Sequence, residues 1–362
     1  MTTRNKQRLL WVERYYPIDT RSSRIVETLR NSGLFDVYVC AWNRGEDKLE
    51  FPDNYRVLHT PMGYKRLVRK TLGLPKYRRF VKQTIQSLEP DVIGCSFWDM
   101  AAIVASIPNL PSRNVYDVID LPGGSLPMFR FARFIERVSI RRFDQVTLSS
   151  RFFNSFYRFL DTTPVLVENL PAFPPRISGA DADPLESRPI AFVGSVRHLE
   201  TLRPVIDYCA QTKRDFAVFG DGPDLPQLRN EYGSSPFVQA YGGYTYDELP
   251  SIYGQISTVW AAYPTSEINV RYAISNKFFE SIFFQIPGVF SSGTAIGEYV
   301  AENHLGYCVD AEDPKDVARL VETIFEDTAL RKKLRQNIAN YRAENAIHWN
   351  EVEARIIDTF RP

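Results

Sequence analysis

The chain has 362 residues, a length that fits two domains of ordinary size better than one. Its formal net charge of +1 argues against a general nucleic-acid-binding protein. The four cysteines are scattered, with no Cys-x-x-Cys motif, so we expect small core residues and neither disulfides nor a metal site. We find no signal-peptide pattern and no apolar run as long as a membrane span, and we expect a cytoplasmic protein.

The first half of the chain is predicted to alternate short apolar strands with helices. Residues 9–12 and 37–42 have the pattern of buried strands, and residues 22–31 between them predict a helix, which makes a βαβ unit with parallel strands. Further strands are predicted at 91–95, 115–119, 145–149 and 164–169. The first turn lacks Gly-x-Gly-x-x-Gly, so a dinucleotide fingerprint is absent. Asp19 in this turn also has the position of a simple helix cap.

Two basic segments occur in this half. No acidic residue lies between 54 and 88, and basic residues alternate there with aromatic and aliphatic ones. These basic residues are Lys65, Arg66, Arg69, Lys70, Lys76, Arg78, Arg79 and Lys82. The second segment, 129–143, predicts a helix with arginines on one face and apolar side chains on another, namely Arg130, Arg133, Arg137 and Arg141 against Phe131, Phe134 and Val138. The two segments predict a surface for anionic lipid headgroups. The alternative is two solvated helix faces.

The second half begins after a stretch rich in Pro, Ala, Asp, Ser and Gly, which is typical of a linker. Two predicted strands then end in glycine turns, the first at Gly194 and the second at Gly220 and Gly222. Such turns let backbone amides approach a phosphate, and Arg197 would neutralise part of its charge.

A helix is predicted from Ser275 or Asn276, and Pro287 and Gly288 follow its end. Lys277 and Glu280 lie one turn apart near its positive end. That arrangement suits a nucleotide diphosphate, with the lysine on phosphate and the carboxylate on the ribose hydroxyls. The alternative is a solvated ion pair on a surface helix.

Residues 276–280 and 286–289 resemble the donor-site helix of family 4 glycosyltransferases, whose pattern is approximately Lys-x-x-Glu followed by a small residue, Pro and Val. Residues 17–21, 42–44, 91–95 and 115–122 are similar to segments of the first domain of that family, and residues 194–309 to its donor half. The similarity thus covers nearly the whole chain in order. One position departs from the family: Tyr272 stands where a glutamate usually contacts the donor sugar.

The resemblance implies an α/β protein of the GT-B type, with two Rossmann-like, doubly wound parallel-sheet domains facing a cleft. Residues 1–171 would bind the acceptor, 172–188 would be the linker, and 189–344 would bind the nucleotide sugar. A helix at about 345–362 would cross back onto the first domain. The implied donor-binding residues are Gly194, Ser195, Arg197, Gly220, Gly222, Tyr272, Asn276, Lys277 and Glu280.

The implied activity is transfer of a hexosyl or glucuronosyl group from a UDP- or GDP-sugar to a lipid-linked or polysaccharide acceptor, in surface or exopolysaccharide synthesis. No metal and no further cofactor is expected, and the protein would lie peripherally on the inner face of the cell membrane. Since Tyr272 puts the retaining outcome in doubt, an inverting route is open, as in the loosely similar membrane-associated glucuronosyltransferase of xanthan assembly. Asp120 or Asp117 would then be the base, and we favour Asp120 because a Leu-Pro-Gly-Gly turn follows it. The alternatives are a nucleotide-sugar epimerase of the same fold and a non-catalytic sugar-binding protein.

Overall fold

A computed structural model of the protein describes residues 6–61, 67–173 and 188–362, with only the backbone of residues 67–72. The chain divides into two compact units, the first made of residues 1–168 and 352–362 and the second of residues 169–351. The linker expected at 172–188 lies almost entirely outside the described residues, as do Lys65 and Arg66 of the first basic segment. No described helix is both long enough and apolar enough to cross a membrane.

The first unit contains a seven-stranded parallel sheet. Its strands are β1 (Gln7–Val12), β2 (Phe35–Asn43), β3 (Tyr55–His59), β4 (Val92–Ser96), β5 (Arg113–Val118), β6 (Gln145–Leu148) and β7 (Val165–Leu166). Their order in the sheet is β3-β2-β1-β4-β5-β6-β7, and every pairing is parallel. The chain therefore builds outward from β1 in both directions, and the switch between the two directions lies between β1 and β4.

The helices described between these strands are α1 (Thr20–Asn31), α2 (Leu67–Leu88), α3 (Trp98–Ala105) and α4 (Leu126–Ser139). Helix α1 begins where it does because the Asp19 side chain accepts hydrogen bonds from the backbone amides of Arg21 and Ser22, at 2.9 and 3.0 Å. The two basic segments form α2 and α4. Asp19 thus has the capping role that the sequence left open.

The second unit contains a six-stranded parallel sheet. Its strands are β8 (Ile190–Val193), β9 (Phe216–Phe219), β10 (Val238–Gly242), β11 (Thr258–Ala261), β12 (Gly288–Ser291) and β13 (Gly306–Val309), in the order β10-β9-β8-β11-β12-β13. Its described helices are α5 (Leu199–Gln211), α6 (Leu225–Tyr232), α7 (Leu249–Tyr253), α8 (Ile268–Tyr272), α9 (Asn276–Phe284), α10 (Ala295–Glu302), α11 (Pro314–Glu326) and α12 (Thr328–Glu344). The α/β class and the two doubly wound parallel sheets predicted from the sequence are confirmed.

The closing helix, α13 (Asn350–Phe360), contributes to the core of the first unit. The ring of Phe360 packs against that of Trp11 on β1, with centroids 5.9 Å apart. The two rings fill the space beside Gly94 on β4, where an added Cβ would come within 2.6 Å of Trp11 and 2.9 Å of Phe360. Any side chain at position 94 would displace one of these rings, which accounts for the glycine in the middle of this strand.

Candidate functional site

Helix α9 begins at Asn276 because Ser275 has an extended backbone and its side chain accepts a hydrogen bond from the amide of Lys277. The predicted apolar stripe is buried and fixes the rotation of the helix about its axis. Its members are Phe278, Phe279, Ile282 and Phe283. The helix ends at Gln285, whose φ of 56° turns the chain towards Pro287 and β12. The prediction of this helix from sequence is confirmed.

Lys277 is held inside the second unit and is only 7% exposed. Its Nζ donates to the hydroxyl of Tyr263 at 2.7 Å and lies 4.8 Å from the centroid of the Phe192 ring. No carboxylate among the described residues lies within ion-pair distance of it. A buried cation without a counterion is costly in a folded protein, so this lysine marks a place where a bound anion would lower the energy.

The glycine turns after β8 and β9 lie against Lys277 and against each other. Gly194, Gly220 and Gly222 have φ of 137°, 142° and 158°, a range that favours glycine. A Cβ on Gly194 would lie 2.8 Å from Lys277 Nζ, and one on Gly220 would lie 1.8 Å from the carbonyl oxygen of Gly194. Bulkier residues would therefore fill the space around the lysine and push the two turns apart.

Glu280 projects from the next turn of α9 and is partly exposed. Its Oε2 accepts a hydrogen bond from the hydroxyl of Tyr253 on α7, at 2.7 Å. Burial, and then the charge of Glu280, raise the pKa of Tyr244 above its usual range. Asn276 Oδ1 accepts a hydrogen bond from Asn169 at 2.7 Å. Lys277 and Glu280 thus each have their own hydroxyl partner, and the expected alternative of a solvated ion pair does not describe Lys277.

Six of the predicted donor-binding residues lie on the glycine turns and α9, namely Gly194, Gly220, Gly222, Asn276, Lys277 and Glu280. Ser195 and Arg197 are exposed in the loop that follows Gly194. Tyr272 ends α8, is partly exposed, and precedes the cap of α9 by three residues.

Of the two predicted bases in the first unit, Asp117 lies at the end of β5 and is 1% exposed. Arg21 donates to both of its oxygens, with Nε to Oδ2 at 2.8 Å and Nη2 to Oδ1 at 2.7 Å, and Thr147 donates to Oδ1 at 2.5 Å. This bidentate pair fastens α1 to the sheet, so the geometry gives Asp117 a structural role. Asp120 lies two residues beyond β5 and is partly exposed.

Sequence reasoning missed Glu13, which follows β1 directly and is fully buried. Its carboxyl lies 2.5 Å from the hydroxyl of Ser22 and accepts a hydrogen bond from the amide of Arg14 at 2.6 Å. Burial, with the nearby charge of Asp19, raises the pKa of Glu13 to about 8, so this carboxyl is protonated at neutral pH. The signal in the sequence was a single acidic residue at the end of the first apolar strand.

Neither a protein-family model nor a curated protein matches the chain. Among solved structures it is similar to sucrose-phosphate synthase from Thermosynechococcus elongatus, with a TM-score of 0.77, 14% identity and 98% of each chain covered. It is also similar to HepE from Anabaena, solved with UDP and glucose, with a TM-score of 0.67, 13% identity and coverage of 98% of this chain and 99% of that one. A third is WaaG, described as a glycosyltransferase involved in lipopolysaccharide biosynthesis, with a TM-score of 0.68, 12% identity and the same coverage.

The chain has the GT-B fold. In this GT-B chain the glycine turns and the start of α9 lie at the carboxyl ends of the strands of the second sheet, which is the edge where open parallel sheets bind ligands. Within the described parts of the chain, no group of three or more His, Cys, Asp or Glu side chains is placed to hold a metal ion.

Proposed function

We propose that the protein is a glycosyltransferase whose donor is a nucleotide diphosphate sugar, with UDP or GDP as the nucleotide. The observation that carries this proposal is Lys277, a buried cation that lies beside two glycine turns and has no carboxylate partner among the described residues. When the bond from sugar to diphosphate breaks, negative charge develops on the leaving group. Lys277, the amides of the turns and the N-terminus of α9 would stabilise that charge. In this proposal no metal ion is needed.

Glu280 is the group that we propose for the ribose hydroxyls, since it follows Lys277 by one helical turn and Tyr253 orients its carboxylate. Arg197 would approach the diphosphate from the loop after β8. HepE, which has the same fold, was solved with UDP and with UDP-glucose, and this favours UDP as the first nucleotide to try.

Calorimetric titration with UDP and GDP tests the donor proposal. We expect one of them to bind wild-type protein, and Lys277→Met to weaken that binding by about tenfold to a hundredfold, because a charged hydrogen bond is worth about 1.5–3 kcal/mol. Lys315→Met is the matched control, since Lys315 is exposed at the start of α11. If neither nucleotide binds, or if both variants bind equally well, the donor proposal fails.

Helix α4 gives the first unit an exposed apolar surface. Phe131, Phe134 and Val138 recur at helical spacing and are 65%, 67% and 52% exposed. Leu126 and Met128 at the start of the helix are also about half exposed, at 53% and 50%. Five large apolar side chains that are each at least half exposed on one helix are unusual on a protein whose surface contacts only water.

A buried carboxylate fixes this orientation of α4. Glu136 is fully buried, and its Oε1 accepts hydrogen bonds from the hydroxyls of Tyr116 and Tyr157, both at 2.6 Å. Burial raises the pKa of both tyrosines well above the usual value, so they remain donors. Arg133 forms an ion pair with the same carboxylate. Rotating the helix to bury its phenylalanines would bring Glu136 out of this network.

We propose that α4 contacts an anionic membrane and that the acceptor is lipid-linked or a polysaccharide made at that surface. Arg130 and Arg137 on α4 and Arg141 and Arg142 just after it are exposed, and between residues 121 and 143 the only acidic residue is the buried Glu136. A helix with this combination lies in the headgroup region of a bilayer. The transferred sugar would be a hexose or a hexuronic acid, for a surface or exported polysaccharide.

Co-sedimentation with vesicles of phosphatidylglycerol tests the membrane proposal. Replacing Phe131 and Phe134 by Ser should lower the bound fraction strongly. Adding salt to about 0.5 M should lower it further, because salt screens the arginines. Tyr241→Ser, which removes an exposed aromatic ring from the second unit, serves as the control. Wild-type protein that stays in the supernatant at low salt would rule out this contact.

A further inference from the structure

At the carboxyl ends of β1, β2 and β4, two arginines pack on one aromatic ring. The guanidinium carbon of Arg44 lies 4.5 Å from the centroid of the Tyr15 ring, and that of Arg14 lies 5.5 Å from the same centroid. Arg14 also lies 4.8 Å from the Phe97 ring, which meets Tyr15 edge to face. The rings thus fix both guanidinium planes before any ligand arrives.

The charge of this arginine pair is only partly neutralised. Arg14 forms an ion pair with the buried Asp99 at 3.0 Å, and its own side chain remains 18% exposed. Arg44 is partly exposed and has no carboxylate within ion-pair distance among the described residues. Glu13, whose carboxyl bonds the amide of Arg14, is protonated at neutral pH and so adds no negative charge. Arg44 therefore retains a positive charge that no described carboxylate neutralises.

Phe97 has a strained backbone at this same place. Its φ of 66° and ψ of 145° are rare for a bulky residue, which loses energy in that conformation. Such strain persists where the surrounding structure imposes it, and it is concentrated at functional sites. In this structure the strained backbone of Phe97, directly after β4, places its ring beside the guanidinium group of Arg14.

The position in the sheet is the one at which this fold binds ligands. Arg14 follows β1 and Phe97 follows β4, and the switch in strand order lies between these two strands. On the two sides of a switch point the connections between strands run in opposite directions. This leaves a crevice at the carboxyl ends of the strands. Arg44 reaches the same edge from the end of β2.

We propose that Arg44 and Arg14 bind an oxyanion carried by the acceptor, either a phosphate ester or a carboxylate on its sugar. This inference rests on the proposed glycosyltransferase function, because it assigns the acceptor class. The guanidinium fork matches the two oxygens of a carboxylate or phosphate. An acceptor without a negative group would leave the charge of Arg44 unneutralised and would bind less well.

Titration of Lys277→Met protein with glucose 6-phosphate, glucuronate and glucose tests the inference, since that variant removes the cation proposed for the donor diphosphate. We expect one of the two acidic sugars to bind at least tenfold more tightly than glucose, and the better of them tells phosphate from carboxylate. Arg44→Gln should weaken this binding by about tenfold to a hundredfold. Arg56→Gln, which removes the same charge from the exposed side of β3, should not.

Equal binding of glucose and both acidic sugars, or equal loss in Arg44→Gln and Arg56→Gln, would overturn the inference. A parallel titration of wild type and Arg44→Gln with UDP separates it from the donor proposal. If UDP binds both proteins alike while neither acidic sugar binds, only the oxyanion site is wrong. If UDP does not bind wild type, the donor proposal fails on its own evidence.

Discussion

The two sheets of this protein have the same parallel construction, yet Lys277 in the second unit and Asp117 in the first differ in how their charges are satisfied. In the second unit Lys277 is buried with no carboxylate partner in the part of the chain that the structure describes, and glycines keep the space beside it clear. In the first unit, Arg21 on α1 donates to both oxygens of Asp117 on β5, Thr147 on β6 donates to one of them, and all three residues are buried. The comparison teaches that a charge at a sheet edge indicates a ligand only when the protein leaves it without a partner.

The largest effect we expect is on turnover. Asp120, two residues beyond β5 and partly exposed, is the base that we propose for the acceptor hydroxyl, whereas Asp117 is paired with Arg21. Asp120→Asn should reduce the transfer rate by about 10²–10⁴-fold with UDP affinity unchanged, as for removal of a general base. Rates are measured by release of the nucleoside diphosphate. A variant that keeps the wild-type rate would point to a retaining mechanism without a protein base.

Next in size is the loss of stability when the structural pair is broken. Arg21→Met should lower the free energy of unfolding by about 3–5 kcal/mol, because it leaves the Asp117 carboxylate buried and uncompensated. The double variant Arg21→Met with Asp117→Leu should recover part of that loss. Urea unfolding measures both. A loss below about 1 kcal/mol in the single variant would mean that the Arg21–Asp117 pair contributes little to stability. The contrast between Asp117 and Lys277 would then be smaller than the contacts indicate.

A smaller effect is expected on the donor side, and it should appear in affinity. Glu280→Ala should weaken nucleotide binding by about tenfold to a hundredfold while the unfolding midpoint changes little, since the carboxylate lies at the site and is partly exposed. Tyr253→Phe, which removes only the hydroxyl that orients Glu280, should give a milder loss. Unchanged affinity in both variants would exclude Glu280 from the ribose.

The last effect concerns pH and is the smallest when it is counted per pH unit. The native state keeps the Glu13 proton up to about pH 8, whereas the unfolded chain releases it near 4.5. The stability that this proton contributes is therefore complete below pH 4.5 and is lost as pH rises towards 8, by at most about 1.4 kcal/mol per pH unit. Glu13→Gln should remove this slope and be the more stable protein at pH 8. Parallel stability curves for variant and wild type would show that Glu13 titrates normally.

Local patterns in the sequence predicted most strands of both sheets and the start of α9, but they did not predict the edge strands β3 and β10. The strand predicted at 91–95 is β4, and the Lys277 helix begins at the expected cap. These features depend on residues close in sequence, where periodicity and capping are informative. The resemblance to one glycosyltransferase family and the individual donor-binding roles stay predictions.

Contacts between distant residues were beyond prediction from the sequence. Asp117 lies 96 residues from Arg21, and no local pattern indicates that the two are paired. The basic face predicted for α4 is likewise incomplete, because Arg133 is paired with Glu136. In α2, Arg78 bonds the side chain and the carbonyl of Ser106, so it holds α2 to the end of α3. Which charges are free for a ligand depends on pairings that form only in the folded chain.

The packing of Phe360 beside Trp11 and Gly94 has a consequence for synthesis. The ribosome makes the seven strands of the first sheet well before it makes α13, so their core stays incomplete while the whole second unit emerges. During that interval the apolar side of Trp11 has no partner ring, and the growing chain is exposed to aggregation or to chaperones. Supplying residues 345–362 as a separate peptide to a fragment of residues 1–168 should therefore raise the fragment's solubility and melting temperature.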